Sequence, residues 1–227
     1  MDNLYWLDQI QSNQHSQVGD RTLHLSHLAQ KGYPVIPGFA ISAQWFREFL
    51  DGIEWSDPLF LDLAKSSLRL NVEDARQLQA VAQQIRHTIV AAPLPTQWIV
   101  ELEANVQALP PVTATQPNQA VILRPSLALA KTKGLSTPLP SEAANLIEAQ
   151  VCWTDKSSLE IGSKQLWAEL FRARNLVYWQ RSQIQLHQLH FSVLVQQIGA
   201  AIASGYLQNT HTDWEVLATW GLGRVIN

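Results

Sequence analysis

The stretch from Val18 to Phe46, V-G-D-R-T-L-H-L-S-H-L-A-Q-K-G-Y-P-V-I-P-G-F-A-I-S-A-Q-W-F, constrains the fold more than any other part of the chain. Asp20 is placed to cap a helix whose Leu25, Leu28 and Ala29 share a face, and Gly32 followed by Pro34 ends it. Val35 to Ile41 is apolar apart from Pro37 and Gly38, which predicts a short strand, and Ser42 is placed to cap a second helix through Phe46 and Leu50. Gly19 lies immediately before a helix start, where backbone N–H groups and the positive end of the helix dipole face an anion. Arg21 adds a fixed charge in the first turn, so the loop, helix, strand and helix form a unit suited to a phosphate.

Upstream, Leu4, Leu7 and Ile10 have helical spacing, and Gln11 to Gln17 reads as a loop. Downstream, Pro58 opens a segment with Leu59, Leu63 and Ala64 on a face. Asn71 is then placed to cap a helix carrying Ala75, Leu78, Ala82, Ile85 and Ile89 as an apolar stripe that ends near Ala92 and Pro93. Pro95 to Leu109 repeats that pattern more weakly. Pro110, Pro111 and Pro117 among Thr and Gln mark 110–118 as a linker, which puts a lobe boundary near residue 110.

Past the linker, Ala120 to Leu123 predicts a buried strand that delivers Arg124, Pro125 and Ser126 at its end, and Lys131 to Ser141 an exposed loop. Leu146 to Thr154 predicts another strand, followed by one long helix over 158–186 with Leu166, Leu170, Ala173, Val177 and Ile184 on a stripe. Phe191 to Ile198, Ala200 to Leu207 and Trp214 to Trp220 read as strands, the last two joined by a hairpin loop at Gln208 to Asp213. The expected architecture is therefore α+β: a helical N-terminal lobe over 1–109, then a sheet lobe over 119–227 with a long helix packed on it.

A net charge of −3 and a pI near 6.1 supply no basic field for nucleic acid or an anionic membrane surface. The apolar run Ile198 to Ala203 is too short to span a bilayer, and Asp2 and Asp8 replace the basic start of a secretory signal; a soluble, cytoplasmic protein is expected. Lone Cys152 fits a reducing compartment. Charged residues make up only 15% of the chain while nine are Trp, a surface composition that suits a protein partner. His24 with His27 and His187 with His190 are three apart, and neither pair brings a third ligand for a metal.

Val18, Gly19, Leu25 or Leu28, Pro37, Gly38 and Phe39 together resemble the opening of the nucleotide-binding domain of phosphoenolpyruvate synthase (pyruvate, water dikinase) and pyruvate phosphate dikinase. There V-G-G-K leads through a helix to V-P-x-G-F. The resemblance runs through nearly the whole chain in order. Val121 to Ser126 is similar to a family strand end A-V-R-S-S; Leu166 to Tyr178 to C-W-A-S-L-F-x-x-R-A-x-x-Y-R; Ser192 to Ile198 to V-x-V-Q-x-M-V; and Gly221, Leu222 and Gly223 to G-L-G-E.

The resemblance implies an ATP-grasp-like two-lobe fold that takes ATP with Mg²⁺. It places Gly19, Arg21, Arg124 and Ser126 at the phosphates, and Gln196 on the strand that lines the adenine pocket. It also implies where this chain departs. Asp20 and Arg21 stand for Gly and Lys, Pro125 for Ser, and Arg224 for Glu; Lys131, Lys133 and Gly134 occupy the region of the family's phosphate loop. The family segment that holds Mg²⁺, its swivelling phosphohistidine domain and its pyruvate-binding barrel find no counterpart in the sequence. The expectation is a divergent relative that retains a nucleotide site, has no catalytic residue and turns over no dikinase reaction by itself. The alternative is a non-catalytic interaction protein that kept the fold and uses its Trp-rich surface for a partner.

Overall fold

The computed structural model describes residues 3–55, 74–111, 120–130, 140, 143, 145–198, 203–209 and 213–221. The expected helix after Pro58, the Asn71 cap, most of the 110–118 linker, Lys131, Lys133, Gly134 and Arg224 lie outside the described residues.

Strands β1 (Leu4–Trp6), β2 (Gly38–Ile41), β3 (Ala120–Leu129), β4 (Gln150–Trp153) and β5 (Leu189–Gln197) form one antiparallel sheet in the order β1-β2-β5-β3-β4. The fold is α+β, as expected. Strands from both sides of the boundary read near residue 110 share this sheet, with Gly38 to Ile41 paired to Gln196 to Val193. The helical spacing read at Leu4, Leu7 and Ile10 is overturned at its start: Leu4 pairs with Ile41 and Trp6 with Phe39, because three apolar residues in so short a run satisfy a strand edge equally well.

Helix α1 (His15–Gln30) crosses one face of the sheet. Helices α2 (Ala43–Gly52), α3 (Ala75–Ala91), α4 (Thr96–Gln107), α5 (Lys156–Glu169) and α6 (Ala173–Arg181) build the other side. Ser42 caps α2 by accepting from the Gln44 backbone N–H at 3.2 Å, and Asp74, rather than Asn71, caps α3. On the helical side, Phe46, Ile85, Trp167, Phe171, Phe191 and Val195 meet in a continuous apolar core. Phe46 lies edge-on to Phe191 at 5.1 Å and Phe49 tilts against Trp167 at 5.1 Å.

The expected single helix over 158–186 is two helices, α5 and α6, separated at Leu170 to Arg172. No Gly or Pro marks the break. It is held by side chains that take over the freed carbonyls: Asn175 Nδ2 donates to Glu169 O at 2.7 Å and Trp179 Nε1 to Leu170 O at 3.3 Å. A separate hairpin, β6 (Ala203–Asn209) with β7 (Trp214–Trp220), closes the described chain with the two expected strands paired antiparallel.

Candidate functional site

Helix α1 is interrupted at Gly19, whose φ of +76° and ψ of 170° stop one turn and start the next. That angle suits glycine, and the space admits nothing larger: a Cβ there would lie 2.3 Å from the Ser126 carbonyl oxygen and 2.6 Å from its hydroxyl. Ser126 Oγ donates to Val18 O at 2.7 Å and accepts from the Thr22 backbone N–H at 3.0 Å. The Ser192 hydroxyl reaches both Val18 O and Ser126 O. Two strand hydroxyls thus fasten the Gly19 turn to the sheet. The helix start read after Gly19 is present, with the Thr22 N–H already committed to Ser126.

Asp20 does not act as the expected cap. Its carboxylate Oδ1 pairs with His15 Nε2, one turn back across Gly19. Arg21 Nη1 donates to Pro125 O at 3.0 Å, which carries the guanidinium over β3 to Arg124. Burial, and then the like charge of Arg124, push the Arg21 pKa down to about 10; burial also lowers that of Arg124. Among the described residues no carboxylate forms an ion pair with either arginine, and Arg124 Nε is buried without a hydrogen-bond partner. Two cations close together and short of acceptors fit an anion placed between them.

Arg124, Pro125 and Ser126 were expected at a strand end; they lie inside β3, which runs on to Leu129. Proline is rarely found in a paired strand, but β4 pairs with β3 only from Ala120 to Leu123, so Pro125 sits past the part of β3 that β4 covers. The register puts Ile122 opposite Gln196, Arg124 opposite Leu194 and Ser126 opposite Ser192. All of these face α1, so the structure brings Gly19, Arg21, Arg124 and Ser126 together, with Gln196 one row further along the same face. Gln196 itself is spent on the protein: its Nε2 donates to Ile36 O at 2.7 Å, and its Cγ would lie 2.7 Å from a Cβ at Gly38.

Sequence reasoning missed Thr22, Ser192 and a second polar cluster on this face. Arg47 Nη2 lies 2.6 Å from His190 Nδ1, and burial, then Arg47 and His15, push the His190 pKa down to about 4. No group of three His, Cys, Asp or Glu side chains among the described residues is placed to hold a metal. The arginine pair therefore fits phosphates, while the described residues supply no ligand set for Mg²⁺. A cavity of about 670 Å³ lined by Phe49, Ile53, His87 and Trp98 lies on the helical side, away from every residue of this site. No described helix is long and apolar enough to cross a membrane.

Residues 15–226 match the family described as pyruvate phosphate dikinase, AMP/ATP-binding domain. A probable phosphoenolpyruvate synthase of Staphylothermus marinus is 24% identical over 229 residues, covering 98% of this chain and 26% of the relative. One from Methanothermobacter thermautotrophicus is 22% identical, covering 92% and 30%. The phosphoenolpyruvate synthase of Neisseria meningitidis is 34% identical over 103 residues, 44% of this chain and 12% of the relative. The chain thus spans less than a third of the length of the first two relatives.

Proposed function

Since this chain belongs to the pyruvate phosphate dikinase AMP/ATP-binding domain family, we propose that it binds an adenine nucleotide, ATP with Mg²⁺, on the α1 face of its sheet and transfers no phosphoryl group by itself. The observation that carries this reading is the Arg21 and Arg124 pair, two half-buried cations without a carboxylate partner among the described residues. In this reading both guanidiniums meet phosphate oxygens, while Gly19, kept in its turn by Ser126, opens the helix start towards them. Gln196 marks the base end through its strand and its grip on Ile36 O. The nucleotide's metal would be coordinated mainly by phosphate oxygens and water, as is usual for Mg²⁺.

Three substitutions tell against independent transfer. Arg21 provides a planar fork where the family has a compact ammonium, Asp20 sets a carboxylate beside the phosphate position, and Arg224 replaces the glutamate of G-L-G-E. Calorimetric titration with MgATP, together with an assay for AMP release in the presence of pyruvate, tests both halves. Saturable binding without AMP formation is expected. Absence of binding contradicts the first half and steady AMP formation the second.

One observation favours the interaction reading as a second role. Trp214, Val216 and Trp220 lie on one face of the β6–β7 hairpin and are 65, 68 and 84% exposed. A partner retained by the wild-type chain and lost on Trp214→Ser with Trp220→Ser would support it; equal retention by both would contradict it.

A further inference from the structure

Strand β4 carries an apolar surface that the phosphate site does not use. Along Gln150–Trp153 the side chains alternate between the two faces of the sheet. Cys152 points to the helical side, where its Sγ would lie 3.2 Å from a Cβ at Gly162 and burial, then Asp155, push the thiol pKa up to about 11. Val151 and Trp153 therefore point to the α1 face, where they are 57 and 60% exposed. Val151 is opposite Ile122 in the register, Ile122 opposite Gln196, and Trp153 opposite Ala120.

Arg124, Ile122 and Ala120 succeed one another on this face of β3, so the Trp153 row lies four residues from the Arg124 row. At about 3.4 Å per residue that is about 14 Å, comparable to the span between the outer phosphates and the base of an extended nucleoside triphosphate. Between the two ends lies the row of Val151, Ile122 and Gln196, which carries no charge and whose one amide is committed to Ile36 O. At the far end, Ile198 N–H donates to Ala120 O at 3.3 Å, which fixes the end of β5 beside the Trp153 row.

We infer that Trp153 is the base-stacking residue of the nucleotide site, its indole face receiving the purine of a nucleotide whose phosphates meet Arg21 and Arg124. This inference rests on the nucleotide reading above. An indole left 60% exposed beside an exposed valine is unfavourable surface, and a stacked base covers it while its sugar and phosphates stay in the polar half of the face. Stacking also separates the roles of the two ends: the arginines sense charge and the tryptophan senses a ring.

Equilibrium titrations of the full chain with ATP and with inorganic tripolyphosphate test the inference, using wild type, Trp153→Ala and Trp153→Phe, each checked for an unchanged melting temperature. Loss of one base–aromatic stack corresponds to about a tenfold or larger weakening, so Trp153→Ala weakens ATP by that factor. Tripolyphosphate affinity stays at the wild-type value, and Trp153→Phe restores ATP to within a few-fold. The inference is overturned, with the nucleotide reading intact, if Trp153→Ala binds ATP as wild type does or loses ATP and tripolyphosphate equally. Failure of wild type to bind either ligand overturns both.

Discussion

The two faces of the five-stranded sheet differ in how much of their contact is apolar. On the helical side, Phe39, Val121, Leu123, Phe191, Val193 and Val195 are each no more than 1% exposed and meet other apolar side chains, so that face is organised by volume. On the α1 side a smaller apolar cluster of Leu7, Ile10, Val18, Ala40 and Leu194 is joined by Arg124, Ser126, Ser192 and Gln196, so contact there also runs through hydroxyls, a glycine turn and two cations. The first face gains stability from burial. The second spends some of it, since desolvating Arg21 beside Arg124 costs free energy that a bound anion would return.

The comparison is sharpened most by a change on the helical face. Trp167→Ala, which empties a 1% exposed site against Phe46 and Phe49, is expected to cost about 3–5 kcal/mol by chemical denaturation. A cost similar to that of a surface substitution would break the claim that volume organises this side.

Gly19→Ala is expected to have the next largest effect. It combines a φ of +76° with a Cβ 2.3 Å from Ser126 O, and the two together should cost about 2–3 kcal/mol. The displaced turn should also lower nucleotide affinity, whereas Trp167→Ala variants that remain folded should still bind. If Gly19→Ala lowered stability and left affinity at the wild-type value, the turn would be scaffold alone.

A smaller effect comes from His190, which faces Arg47 and His15 across the packed elements. Its folded pKa of about 4 lies below the ordinary value of 6.5, so between these pH values the unfolded chain binds more protons than the folded one. Stability contributed by the neutral imidazole is present above about pH 6.5 and is lost as the pH falls toward 4. Urea midpoints measured across that window should fall more steeply for wild type than for His190→Asn. Parallel slopes would contradict the assignment.

The helical face was the more legible in sequence. The stripe Leu78, Ala82, Ile85 and Ile89 identifies α3, because burial imposes a period. The break between α5 and α6 escaped because an unbroken apolar stripe crosses it, and the groups that stabilise it, Asn175 and Trp179, bond only after the chain has turned. On the α1 face, motif resemblance placed Gly19, Arg21, Arg124 and Ser126 in one region. Ser192 was missed because its bond to Val18 spans 174 residues, and no local pattern announces such a contact. The apolar run Ala120 to Leu123 understated β3, which continues through Pro125 because β4 pairs with it only as far as Leu123 and leaves room for the proline.

The central claim is that the α1 face holds its two arginines for an anion, and it is tested most directly by the thermal melting of the full chain with and without MgATP, in wild type and in Arg124→Ala. Ligand at about 100 times Kd stabilises by about 2.7 kcal/mol, which raises Tm by several degrees for a chain of this size. The account predicts that rise in wild type, its loss in Arg124→Ala, and an unliganded Tm for the variant equal to or above that of wild type. A wild-type Tm indifferent to millimolar MgATP, or a rise that survives the substitution undiminished, would contradict it.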